Sequence, residues 1–162
     1  MNIDSNFKAG VTMVEFSLKL NLLSDILERK KKALEQILNI TENQEVVLNQ
    51  GKSSELVDMF NEMAGEKQKY VEIVLQADIL FQKTFGELKS YFESMAEQHL
   101  KEIKILQTQI SSIMDLDVAI RVKEKRNKEL ADSRRSVHKI QTPKVSKNYM
   151  LQQYENNKKN KD

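Results

Sequence analysis

The 162-residue chain contains no cysteine, no tryptophan, one proline and four glycines. Without cysteine there is no disulfide, no thiolate nucleophile and no cysteine-based metal site, which suits a reducing compartment. So little glycine and proline leaves little turn chemistry for joining the strands of a sheet. Aromatic residues make up 6% of the chain and the mean hydropathy is −0.57, which argues against a broad, thick core. No apolar run approaches the roughly 20 residues that span a bilayer. The first residues carry Asp4 and lack the apolar stretch of a signal peptide. A cytoplasmic protein without membrane insertion is the expectation.

Catalytic equipment is equally sparse. There are two histidines, His99 and His138, and His99-x-x-Glu102 is a single pair without the second motif of a di-iron bundle. No phosphate-binding loop, dinucleotide fingerprint, zinc-protease motif or calcium loop occurs. Asp115 and Asp117 are two residues apart, so on a helix they point roughly 200° from each other and cannot share a proton or a metal. Both read as solvated charges. No enzyme activity, cofactor or metal is expected.

What the chain does have is 40% apolar and 31% charged residues, the balance of helices with one wet face. Thr12 followed by Glu15 forms a capping-box signal. From there Phe16, Leu20, Leu23, Leu27, Leu34 and Ile37 recur at steps of three and four, with Lys30 filling one step. Gly51 suits a left-handed helix stop and Ser53 a new cap. A second stripe runs through Leu56, Met59, Met63, Tyr70, Val74, Ala77, Phe81 and Leu88, with Lys67 and Thr84 at intervening steps and Gly65 tolerated inside. Near Gly86 the signals conflict, because Gly86 suits a stop while Thr84 with Glu87, or Ser90 with Glu93, suits a start; a break or tight turn is placed there. A third stripe reads Phe92, Met95, His99, Ile103, Leu106, Ile110, Ile113, Asp117 and Ile120. The fold expected is all-α: an elongated antiparallel bundle of about three long helices (12–50, 53–85 and 90–139) forming a domain over 1–141. A short or disordered C-terminal tail follows over 142–162.

At ~1.5 Å per residue the third helix would measure ~75 Å against ~58 Å for the first, so it is expected to project beyond the bundle. Charge supports a boundary. Residues 1–120 hold 13 basic and 19 acidic residues, net −6, whereas residues 121–162 hold 13 and 5, net +8. The switch falls inside IMDLDVAIRVKEKRNKEL, so the basic section after Ile120 reads as the overhang, where solvation chooses the residues. Such an asymmetry suits contact with something acidic, including the chain's own acidic part. Nucleic acid is not favoured, because the cations of RVKEKRNKELADSRR alternate with acids and no aromatic lies among them for stacking.

The layout resembles the bacterial flagellar export chaperones of the FlgN and FliT type. The likeness rests on LNLLSDILERKKKALEQIL, GKSSELVDMFNEMAGEKQKYV and IMDLDVAIRVKEKRNKELADSRRSV followed by a Lys- and Tyr-containing tail, and covers about residues 13–155. It implies a non-catalytic protein that binds a terminal helical segment of one exported subunit. That subunit would be a hook–filament junction protein for FlgN-like members or the filament cap protein for FliT-like ones. The chaperone would then dock the export gate protein FlhA of the type III apparatus. The tail tyrosine tilts the likeness towards FlgN, with Tyr149 or Tyr154 as the corresponding docking residue. Helix-in-groove recognition would place the partner along Met95, Ile103, Leu106, Ile110, Ile113, Leu116 and Ile120. The competing expectation is a homodimeric coiled-coil structural or adaptor protein.

Overall fold

A computed structural model describes residues 12–51 and 53–133. The described chain is all-α. Helix α1 spans Met13–Gln50, α2 spans Ser54–Leu88, a short α3 spans Phe92–Met95, and α4 spans Leu100–Asp132. Single 3₁₀ turns at Lys89–Tyr91 and Ala96–His99 flank α3, so the chain stays helical from Ser54 to Asp132.

Local chemistry explains the ends. The Thr12 hydroxyl accepts from the Glu15 N–H at 3.1 Å and the Glu15 carboxylate accepts from the Thr12 N–H at 3.4 Å, satisfying two otherwise orphaned donors. Gly51 ends α1, but at φ 147° and ψ −156° it lies outside the left-handed helical region expected of it. This extended positive-φ region is essentially restricted to glycine. The Ser53 hydroxyl accepts from the Leu56 N–H and opens α2.

α1 lies between the other two long segments and packs along both. Lys19, Lys30 and Gln44 meet Glu87, Asp78 and Phe60, so α2 runs antiparallel to α1. Phe16, Ser24 and Thr41 meet His99, Gln109 and Asn127, so α4 runs parallel to it. Serving two neighbours requires two buried stripes. Phe16, Leu20, Leu23, Leu27, Leu34 and Ile37 are all buried, and Ile26, Ala33, Ile40 and Val47 are buried beside them. In α2 the buried set includes Phe60 and Val71, which the single stripe omitted, while Met59 on that stripe is exposed.

Two expectations are corrected here. Gly86 does not close a helix: it lies inside α2, and the chain reverses between Leu88 and Leu100. The third long segment does not project as far as it is described. The reversal consumes Lys89–His99, leaving α4 with 33 residues against 38 in α1, and Asn127 and Ala131 are buried almost at its end. Residues 121–132 are therefore a packed part of the fold. The remainder of the expected third helix, and the tail over 142–162, lie outside the described residues.

Candidate functional site: polar layers and an exposed ridge

The core is not continuous. One apolar cluster runs from Phe16 and Leu88 to Ile113 and Ile120, and a second gathers Val47, Leu48, Phe60 and Ala131. Polar side chains occupy the layer between them. Lys67 on α2 is completely buried, and its ammonium donates to Glu124 of α4 at 2.5 Å and to the Thr41 hydroxyl of α1 at 3.2 Å. Asn127 donates to the Thr41 carbonyl at 2.9 Å, and Gln44 donates to the Phe60 carbonyl at 3.3 Å. Burial drives the Lys67 pKa down, and Glu124 beside it only partly offsets this. The amide oxygens of Gln44 and Asn127 are buried and accept no hydrogen bond from any described residue. Buried polar layers of this kind contribute little net stability and tend to favour one register of the packed segments over slipped alternatives.

A second layer sits further along the bundle. Lys30 of α1 pairs with Asp78 of α2 at 2.7 Å, both side chains nearly buried, and Asp117 of α4 feels both charges. Desolvation raises the Asp117 pKa; Lys30 lowers it and Asp78 raises it further. Asp117 is thus no free solvated charge, whereas Asp115 is exposed, as expected of it. At the edge, Glu45 accepts from Lys123 at 2.8 Å and pairs with Arg126 at 2.7 Å, and the Lys123 hydrogen bond leads in holding its carboxyl below the usual range. The basic section within α4 therefore meets the chain's own acidic residues.

The proposed groove residues divide three ways. Leu106, Ile113 and Ile120 are buried against α1 and belong to the core, so no partner reaches them while the fold is closed. Met95, Ile103 and Leu116 are half-buried and pack on that core. Ile110 is exposed. With it Met114, Val118 and Val122 form a ridge at four-residue steps, each at least 40% exposed. The signal for this ridge was present in its regular spacing, offset from the buried stripe. α1 carries a shorter exposed row of Val14, Leu18 and Leu22. Tyr149 and Tyr154 lie outside the described residues.

His99 is buried edge-on against Phe16, and its Nδ1 donates to the Met95 carbonyl at 2.9 Å, a structural placement. Among the described residues no group of three acidic or histidine side chains is arranged to hold a metal, and no helix is long and apolar enough to cross a membrane. No known family model, curated protein or solved structure matches the chain.

Proposed function

We propose that this chain is a cytoplasmic, non-catalytic export chaperone that binds a terminal helical segment of a flagellar hook–filament junction or filament-cap protein. In this reading the three long helical segments form a thin elongated bundle. The tail from 142, with Tyr149 or Tyr154, docks the export gate protein FlhA. The observation that carries the partner-binding part is the ridge Ile110, Met114, Val118 and Val122. Four large apolar side chains at helical spacing on one side of α4 present the complement of an amphipathic helix. The partner lies along that ridge and beside half-buried Ile103, not in the core stripe of Leu106, Ile113 and Ile120. Met114 suits such a surface, because its flexible thioether conforms to different neighbours.

Co-expression with the terminal segments of hook-junction and filament-cap proteins tests the reading. A stoichiometric complex with one segment, retained through purification, is the expected result. A folded chain that retains none of them overturns it in favour of a homodimeric coiled-coil adaptor. Deleting residues 142–162 is expected to leave segment binding intact and weaken gate docking.

A further inference from the structure

The reversal between α2 and α4 contains no glycine and no proline. Its backbone bends at four residues three or four apart: Leu88 (φ −97°, ψ −20°), Tyr91 (−100°, −9°) and Met95 (−114°, −8°) stay within the right-handed helical region, and His99 (−129°, 26°) leaves it. Lys89, Phe92, Ala96 and Leu100 between them keep helical angles, with φ from −52° to −60°. Rotations at those four positions, modest at Leu88, Tyr91 and Met95 and roughly 70° in each dihedral at His99, would turn α2, the reversal and α4 into one straight helix. Met95, Ala96, Glu97 and Gln98 are good helix formers, so local propensity does not oppose this. Opposition comes from packing: the Phe92 ring lies 5.3 Å from Phe16 and 5.5 Å from Phe85, and His99 lies 4.9 Å from Phe16.

We propose that Leu88–Leu100 is a hinge that straightens, letting α4 leave α1 of its own chain and dock in the same register on α1 of a second copy. The inference stands apart from the chaperone reading, since it concerns only how this chain closes. The second copy is the natural occupant, because it supplies the same complement that α4 has left. Ser24 would receive Gln109, Thr41 would receive Asn127, and Lys67 with Thr41 would receive Glu124, now between chains. The polar layers favour this register over slipped pairing, so exchange in register restores the contacts of α4 with α1 and α2 and gives up those of the hinge. Two hinges would cross about a two-fold axis, a closed arrangement that does not propagate into fibres. Closure within one chain prevails when dilute, and exchange gains with concentration.

The absence of cysteine makes a direct test available. The full chain carrying Ser24→Cys and Gln109→Cys is concentrated, joined with a short bismaleimide and analysed under denaturing conditions. Hinge exchange gives a concentration-dependent product of twice the chain mass. Phe92→Ala, which removes the aromatic hold on the bent form, is expected to raise the doubled fraction severalfold. Leu100→Pro is expected to suppress it. Leu100 is exposed at the first position of α4 with φ −57°, within the range of a proline ring, whereas proline in the interior of a straight continuous helix would break it. Cross-links confined to single chains at every concentration, or a doubled fraction indifferent to Leu100→Pro, overturn the proposal.

Discussion

Removing Glu124 and removing Lys67 should have very different consequences, although the two form one ion pair. Glu124→Ala leaves the Lys67 ammonium completely buried with the Thr41 hydroxyl at 3.2 Å as its remaining polar partner. Stranding a buried charge costs about 3–5 kcal/mol. The loss is capped, because the lysine can deprotonate instead: at ~1.4 kcal/mol per pH unit, bringing a group of ordinary pKa ~10.4 to neutrality at pH 7 costs about 4.6 kcal/mol. That cap sets the pH dependence. If Lys67 is neutral when folded and charged when unfolded, the unfolded state binds one more proton. Stability of the variant then rises with pH by up to ~1.4 kcal/mol per unit until the unfolded lysine titrates. Lys67→Met removes the charge and keeps the length, while Glu124, whose side chain is 16% exposed, can turn to water. Its cost should be clearly smaller than that of Glu124→Ala, because the partner it leaves behind is partly exposed to water rather than stranded in the core. Urea unfolding followed by circular dichroism at pH 7 and pH 9 measures both. Equal losses for the two variants, with no recovery of Glu124→Ala at high pH, would refute the reasoning.

Other outcomes follow from the same structure. Asp117→Asn should stabilise the fold at neutral pH. The folded pKa of Asp117 is raised, so the stability of its neutral form is present below the ordinary aspartate value and lost as pH rises through the raised one. In thermal unfolding from pH 4 to pH 8 the advantage of asparagine should grow with pH; a constant offset would contradict it. Gly65→Ala should stabilise by about 0.5–1 kcal/mol, because Gly65 is an exposed helical glycine with nothing within 4 Å of an added Cβ. Ile120→Ala should cost about 2–5 kcal/mol. Met114→Asp with Val118→Asp should stay within about 0.5 kcal/mol per site, and chemical denaturation separates core from ridge.

The sequence made the helices and the first stripe legible because period and caps agree: Thr12 and Glu15 start α1, and its apolar residues recur without conflict. The positions that broke the stripes carried information that a stripe cannot express. Lys30, Lys67 and Asp117 each look like a local lapse, yet Lys30 pairs with Asp78 beside Asp117, and Lys67 joins Thr41 and Glu124. Their partners are far apart in sequence, so only the fold brings them together. The reversal was misplaced because Gly86 is a conventional stop signal, while the actual bend uses ordinary residues held by Phe16, Phe85 and Phe92. The supposed overhang followed from that misplacement, since residues 90–99, assigned to a straight third helix, are spent turning. Of the residues expected to line a groove, those on the innermost face of α4 are spent on the core. Leu106, Ile113 and Ile120, expected along the groove, are buried against α1, while Ile110, Met114, Val118 and Val122 beside them stay exposed.

Calorimetric titration of the folded chain with hook-junction and filament-cap terminal segments, for the native protein and for Met114→Asp with Val118→Asp, tests the central claim most directly. The account expects one segment to bind at one-to-one stoichiometry and at least tenfold weaker binding by a variant whose circular dichroism and unfolding curve are unchanged. Undiminished binding by that folded variant would contradict the ridge, and the absence of binding to any segment would contradict the chaperone reading itself.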